Sequence, residues 1–111
     1  MSNPADPVEI LRETLNEVAG VKAAFVFGST VNGDIRPDSD IDLFIVEEGL
    51  PLEAIGRALL DAQRLLDRPL DVRRYTPAVL AKRLGRNEGF LREVLSGPKT
   101  WVVGSEDALT A

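Results

Sequence analysis

The sequence contains no cysteine and no histidine among its 111 residues. The first absence excludes disulfides, thiolate nucleophiles and cysteine-based zinc sites, and the second removes the commonest general base. Acid–base or metal chemistry in this chain must therefore rest on carboxylates. Oxygen ligands alone suit hard cations, chiefly Mg²⁺, with Mn²⁺ or Ca²⁺ as alternatives.

Long apolar runs and a basic leader are also missing. No stretch approaches the roughly 20 apolar residues that a membrane helix needs, and the opening MSNPADPVEI lacks the basic and apolar regions of a signal peptide. We therefore expect a cytoplasmic protein without membrane association. The length, with 44% hydrophobic and 28% charged residues, is typical of one soluble domain, which we expect to span residues 1–111.

Charge is unevenly distributed along the chain. Residues 1–67 hold 13 acids and 5 bases, whereas residues 68–99 hold 3 acids and 8 bases. The net charge of −5 argues against direct binding of long nucleic acids. The acidic half and the Arg-rich half could together form one phosphate-binding site, in which the arginines meet the phosphates. Solvated helix faces explain most of these charges equally well.

Capping residues and apolar periodicity predict four helices and four strands. We expect the helices near residues 6–20, 51–67, 77–84 and 88–96, and the strands near 21–27, 41–46, 70–75 and 99–104. A short helical turn is expected over 29–32 and a loop over 33–40. The pattern predicts an α/β or α+β domain with a small mixed sheet and helices packed on one face.

Asp40 and Asp42 stand one residue apart where the second predicted strand begins. Because side chains alternate faces along a strand, the two carboxylates should project side by side. Such a pair repels, and it is tolerated when water solvates it or a cation lies between the carboxylates. Taken alone, the pair is more often explained by an Asx turn at Asp38 and Ser39 followed by exposed aspartates.

Gly28 and Ser29 precede this pair at the end of the first predicted strand. Glycine permits a turn or a close approach of the backbone, and serine begins a helical turn whose free N–H groups can receive an anion. The alternative is a helix N-cap without a ligand. A phosphate cradle shortly before paired carboxylates is what a Mg²⁺–nucleoside triphosphate needs, so the combination is more specific than either part.

The stretch 28-GSTVNGDIRPDSDIDL-43 resembles the nucleotidyltransferase superfamily that includes DNA polymerase beta, and within it the minimal nucleotidyltransferases. The family pattern is Gly-Ser, a later Gly, Arg-Pro, then Ser-Asp-x-Asp-Leu. The stretches 75-YTPAVLAKRL-84 and 90-FLREVLSGPKTWVVGSEDAL-109 are similar to the end of nucleotidyltransferase domains that elsewhere follow a winged helix. The resemblance implies a nucleotidyltransferase fold.

The resemblance also implies roles for individual residues. Asp40 and Asp42 would be catalytic metal ligands, and a third carboxylate from a neighbouring strand would complete the site. Asp71 is the best candidate for this third carboxylate. It would ligate the metal nearer the acceptor and help to deprotonate the attacking hydroxyl. The alternative is that Asp71 is an ordinary aspartate at a strand edge. Arg73 falls on the same strand face, where it would contact the triphosphate or stabilise the carboxylate, or else be a surface arginine.

Gly28 and Ser29 would bind the phosphates, and the sequence departs from the family close to them. The family often has arginine just before its second glycine, where this chain has Asn32, so one positive charge on the phosphate side is missing. Arg36 either compensates by binding phosphate or braces the loop before Pro37. In winged-helix-linked relatives the third carboxylate is not always retained, and catalysis cannot be assumed for them. This chain has Asp71 as a candidate third carboxylate, so catalysis remains possible for it.

The resemblance implies Mg²⁺-dependent transfer of a nucleoside monophosphate, first of all AMP from ATP, to a hydroxyl. Small members are often antitoxins that adenylylate a HEPN ribonuclease toxin, so the resemblance implies a HEPN-type toxin or another protein as the acceptor, with a tyrosine as the accepting group. The alternative is a noncatalytic module that binds a nucleotide or a partner. Antibiotic-type small-molecule transfer and nucleic-acid tailing are disfavoured, because both usually need additional domains. Phe90 and Trp101 are expected in the core, with a dimer or partner interface as their alternative home.

Overall fold

The computed structural model describes residues 7–28, 40–66, 68–86 and 89–107, which form one four-stranded sheet and four helices. In chain order the elements are α1 (Pro7–Asn16), β1 (Val21–Phe27), β2 (Ile41–Glu47), α2 (Leu52–Leu66), β3 (Leu70–Tyr75), α3 (Pro77–Gly85), α4 (Gly89–Ser96) and β4 (Thr100–Val103). Each of the eight expected elements is present, and the predicted boundaries differ by at most four residues. The expected turn over 29–32 lies outside the described residues, as does most of the expected loop over 33–40.

The sheet has the strand order β3-β2-β1-β4. β1 pairs antiparallel with β2 and with β4, whereas β2 pairs parallel with β3. The prediction of a small mixed sheet is therefore confirmed. Because of these directions, the end of β1 and the beginnings of β2 and β3 meet at the same end of the sheet.

The expectation that the helices pack on one face needs correction. α1 and α2 cover one face of the sheet, and α3 and α4 cover the other. The physical reason lies in β1 and β2, which each bury at least four consecutive residues, so apolar side chains project from both faces. A sheet with two apolar faces needs a helical layer on each side.

The two outer strands are held by polar contacts as well as by the sheet. The Arg12 guanidinium of α1 donates through Nε and Nη2 to the backbone oxygen of Trp101 in β4, at 3.3 and 3.0 Å. Arg74 of β3 forms an ion pair with the buried Glu47 of β2, and Nε of Arg74 lies 3.2 Å from Oε1 of Glu47. Glu47 also accepts from the backbone N–H of Leu50, so burial of this carboxylate is compensated.

Local capping explains where α3 begins. The hydroxyl of Thr76 accepts a hydrogen bond from the backbone N–H of Val79, and Pro77 occupies the first helical turn. This start places α3 against the aromatic residues of β1 and β2 through the buried Leu80. Within the described ranges, no helix combines the length and apolar character needed to cross a membrane.

Candidate active site

Two of the predicted carboxylates stand side by side on neighbouring strands. Asp42 is the residue after the first position of β2, and the parallel register pairs it directly with Asp71 of β3. On its other side Asp42 pairs with Phe27, the last residue of β1. Residues paired across adjacent strands project from the same face, so both carboxyls point to the face covered by α3 and α4. Asp40 is exposed and immediately precedes β2.

The side chains of Asp42 and Asp71 lie close enough for charge and hydrogen-bond interactions between them to influence the pKa of Asp42. Burial raises the pKa of Asp42 above its ordinary value of 3.8, the charge of Asp71 and the hydrogen-bond interaction raise it further, and the charge of Asp40 adds to the effect. Arg73 acts in the opposite direction and lowers that pKa. The end of the sheet therefore concentrates negative charge, and protonation of Asp42 would relieve part of the repulsion.

Gly28 brings the backbone at the end of β1 against the same carboxylate. Its φ is +74°, in the left-handed region, and a Cβ placed on it would lie 2.5 Å from Oδ2 of Asp42. Real Cβ atoms do not approach an oxygen so closely, and residues with a side chain rarely adopt this φ. Position 28 therefore requires glycine for both conformation and space.

Arg73 extends the charged site along β3. It lies two residues after Asp71, so the alternation of the strand places both on one face. Its guanidinium carbon lies 5.2 Å from the centre of the Phe90 ring in α4, within range of a cation–π interaction. This contact holds a positive charge beside the paired carboxylates, where an anionic ligand of the site would meet it.

Comparison with protein families matches residues 9–89 to the polymerase beta nucleotidyltransferase family. The chain belongs to this family. The matched range contains Gly28, Asp40, Asp42 and Asp71, so it includes the whole end of the sheet described above. A comparison with curated proteins gave no match.

Solved structures confirm the nucleotidyltransferase fold. A toxin–antitoxin structure with AMP-PNP is 17% identical, with a TM-score of 0.61 over 93% of this chain and 77% of the other. A mutant MntA–HpeT toxin–antitoxin structure is 15% identical, with a TM-score of 0.60 over 98% and 79%. A Shewanella oneidensis structure of a tri-AMPylated HEPN toxin with an MNT antitoxin is 15% identical, with a TM-score of 0.53 over 91% and 72%.

The carboxylates of this nucleotidyltransferase suit a hard divalent cation by their chemistry. Asp40, Asp42 and Asp71 supply only oxygen ligands, and a cation bound between Asp42 and Asp71 would relieve the repulsion that raises the pKa of Asp42. In the part of the chain that the structure describes, however, no three acidic side chains are gathered closely enough to form a ready metal site. The three carboxyls would therefore have to turn toward a cation as it binds.

Sequence reasoning named further phosphate-binding residues in this nucleotidyltransferase. Ser29 and Arg36 lie outside the described residues, as does Asn32. Gly28 and Arg73 are described, and both lie beside the paired carboxylates. Their assignment to phosphate binding stays a prediction.

A groove next to the carboxylates was missed by sequence reasoning. It has a volume of about 330 Å³ and runs between the end of β1 and α4; its walls include Phe27, Gly28, Phe90, Glu93, Val94 and Pro98. Phe90 is 46% exposed there, so the expectation of a core position was wrong for this residue. Trp101 does pack against the core and contacts the ring of Phe25. An aromatic residue in a short amphipathic helix gives no local signal that separates a groove wall from a core position.

Proposed function

We propose that this chain is a Mg²⁺-dependent nucleotidyltransferase that moves a nucleoside monophosphate, AMP from ATP in the first instance, to a hydroxyl acceptor. The observation that carries the proposal is the side-by-side register of Asp42 and Asp71, with Asp40 adjacent and the backbone of Gly28 against Asp42. Family membership supports nucleotidyl transfer in general. Mn²⁺ is the alternative cation, because it prefers the same oxygen ligands.

The reaction forms one bond and breaks one. The acceptor oxygen attacks the α-phosphorus of ATP, the bond from that phosphorus to the oxygen bridging the β-phosphate breaks, and pyrophosphate leaves. Asp71 takes the proton of the attacking hydroxyl, because the chain has no histidine to do so. A divalent cation held by Asp40, Asp42 and Asp71 would offset the charge that develops on the phosphate oxygens.

The remaining site residues would hold the triphosphate. Gly28 and Ser29 would offer backbone N–H groups and a hydroxyl to the phosphates, in a position where no side chain blocks the approach at residue 28. Arg73 would pair with phosphate oxygens from its place beside the carboxylates. Arg36 would supply a second positive charge and so replace the arginine that this chain lacks at Asn32.

A protein hydroxyl on a HEPN toxin is the acceptor we propose, with a tyrosine as the first candidate. This chain would then act as an antitoxin in the cytoplasm. Support comes from the three solved structures reported above, which are toxin–antitoxin structures, one of them with a tri-AMPylated HEPN toxin. Transfer to a protein would also suit a site that is open at the end of the sheet.

Calorimetry of ATP binding with and without Mg²⁺ tests the site first. We expect binding by the parent chain that requires Mg²⁺ and that falls about a hundredfold or more in Asp42→Asn, since loss of a direct ligand should exceed the effect of losing an outer one. Asp61→Asn is the matched control, because Asp61 is an exposed aspartate of α2 on the opposite side of the sheet. Equal binding by Asp42→Asn and the parent would refute the proposed site.

Transfer itself separates the enzyme from a noncatalytic module of the same fold. The absence of a ready three-carboxylate cluster within the described ranges is the observation that favours the second function. ATP labelled at the α-phosphate, Mg²⁺ and a HEPN toxin should give a labelled toxin with the parent and none with Asp71→Asn. Tight ATP binding by the parent without label on any partner would favour the binding module.

A further inference from the structure

The groove beside the carboxylates has the size of a small-ligand site. Its volume of about 330 Å³ falls at the lower end of the range of roughly 300 to 1,000 Å³ that is usual for ligand pockets. Gly28 belongs both to the groove and to the carboxylate cluster, because its Cα faces Oδ2 of Asp42. A ligand bound by the carboxylates can therefore extend directly into the groove.

Two aromatic rings form part of the groove wall. Phe27 and Phe90 stand edge to face, with ring centres 6.4 Å apart and planes at 75°. Phe90 is 46% exposed, so part of its ring is accessible to a ligand in the groove. Exposed aromatic surface in a concave site is suited to stacking against a flat ring.

The charge of the groove favours the base of a nucleotide over its phosphates. Among its described lining residues there is no lysine or arginine, and Glu93 is the one charged residue; Arg73 lies against the ring of Phe90. A triphosphate would be repelled by this carboxylate, whereas a base with an amine group could donate a hydrogen bond to it. The apolar wall of Phe27, Phe90, Val94 and Pro98 likewise fits a base better than phosphates.

We propose that this groove binds the nucleobase of the triphosphate, with the base stacked on Phe90 and its exocyclic amine donating to Glu93. This inference rests on the proposed function, since the carboxylates and the cation would fix the phosphates beside Gly28. It assigns specificity to residues of α4. Bases that carry an exocyclic amine are favoured, which agrees with ATP as the substrate.

Three ligands separate the base from the phosphates in the test. ATP carries both parts, inorganic tripolyphosphate lacks the base, and purine riboside triphosphate is ATP without its exocyclic amine. All three are titrated with Mg²⁺ into the parent and into variants of the groove. Leu60→Ala and Glu53→Leu are the matched controls, because both positions lie exposed on α2, on the opposite side of the sheet.

Phe90→Ala should weaken ATP binding about 5- to 140-fold, which corresponds to the usual cost of losing one base–aromatic stack. Tripolyphosphate binding should fall much less than ATP binding, because it loses only the contact of the Phe90 ring with Arg73, and Phe90→Tyr, which keeps the ring, should restore ATP binding. Glu93→Leu should reduce the parent's preference for ATP over purine riboside triphosphate, about tenfold for one charged hydrogen bond, to near one. Circular dichroism and thermal melts confirm that each variant is folded.

Different failures have different meanings. Unchanged ATP binding in Phe90→Ala and Glu93→Leu, together with loss in Asp42→Asn, would overturn the base site and leave the proposed function standing. An equal loss of ATP and tripolyphosphate in Phe90→Ala would show that Phe90 acts on the phosphates through Arg73, which also overturns the inference. The inference would also be overturned if the groove variants bound ATP as the parent does but no longer transferred AMP to a protein, because the groove would then hold the acceptor. A parent that binds neither ligand would overturn both proposals.

Discussion

The two faces of the sheet are built from different side chains. The core between the sheet and the α1–α2 layer is entirely aliphatic among its buried residues, which are Leu11, Leu15, Ala24, Val26, Ile41, Leu43, Ile45, Ile55, Ala62 and Val102. All six aromatic residues of the chain lie on the other face, namely Phe25, Phe27, Phe44, Tyr75, Phe90 and Trp101. The aliphatic face is closed, whereas the aromatic face ends at the carboxylates.

The aromatic face connects the middle of the sheet to the site through ring contacts. Phe44 stacks on Phe25 and on Tyr75, with ring centres 4.8 and 5.0 Å apart, and meets the edge of Phe27 at 6.3 Å. Phe27 in turn contacts Phe90. The comparison teaches that one layer contributes mainly stability, while the other also fixes the walls of the site.

Truncating neighbouring residues of β2 tests this division most strongly. Phe44→Ala and Ile45→Ala each remove a fully buried side chain, and they should lower the free energy of unfolding by about 3–5 and 2–5 kcal/mol respectively. Only the first should also weaken ATP binding by the folded protein, because Phe44 supports Phe27. Urea unfolding and calorimetry measure the two effects. The milder pair Phe44→Leu and Ile45→Val keeps the test valid if the alanine variants do not fold, and equal ATP binding within that pair would refute the division.

Two glycines with the same backbone conformation provide a smaller and sharper test. Gly28 and Gly49 have φ values of +74° and +72°, but a Cβ at position 49 would meet nothing within 4 Å. Both alanine variants should therefore lose about 1–2 kcal/mol of stability from the left-handed conformation. Gly28→Ala should in addition displace the Asp42 carboxylate and abolish Mg²⁺-dependent ATP binding, whereas Gly49→Ala should bind as the parent does. Intact binding by Gly28→Ala would contradict the close approach.

The smallest expected effect is a pH dependence of stability at the open end of the aromatic face. The pKa of Asp42 is raised in the folded protein. The carboxyl of Asp42 therefore binds a proton more tightly in the folded state than in the unfolded state. The resulting stabilisation is complete below the ordinary pKa of 3.8 and is lost as pH rises through the folded value. Without divalent ions, Asp42→Asn should melt a few degrees above the parent at pH 7, and the gap should close toward pH 4. Parallel melting profiles would contradict this account.

Much of the fold was predictable because its signals are local. Prolines and capping residues mark helix starts, and the apolar run from Ala23 to Phe27 in β1 predicts a central strand. The alternation of side chains along β3 also predicts that Asp71 and Arg73 project from the same face of the strand. The pairing of Asp71 with Asp42 does not follow from this alternation, because the parallel register depends on how α2 returns the chain to the sheet.

The distribution of helices over two faces was the part that sequence reasoning missed. α3 and α4 are short, and an amphipathic stripe shows that a helix packs without showing which face of the sheet it covers. The exposure of Phe90 follows from that placement, since its groove exists only where α4 approaches the end of β1. Features that depend on two distant segments at once leave no pattern in either segment alone.

The position of β3 gives the site a vulnerability of its own. β3 is the outermost strand on its side of the sheet and pairs only with β2 among the described strands. Its first residue is held by the backbone N–H of Leu70 donating to the side-chain oxygen of Gln63, at 3.2 Å, and its far end by the Arg74–Glu47 ion pair. Edge segments open locally at a lower free energy than the centre of a fold. Fraying of this one strand would therefore withdraw Asp71 from Asp42 and stop the proposed transfer, while the aliphatic core stayed folded and the strand could pair again.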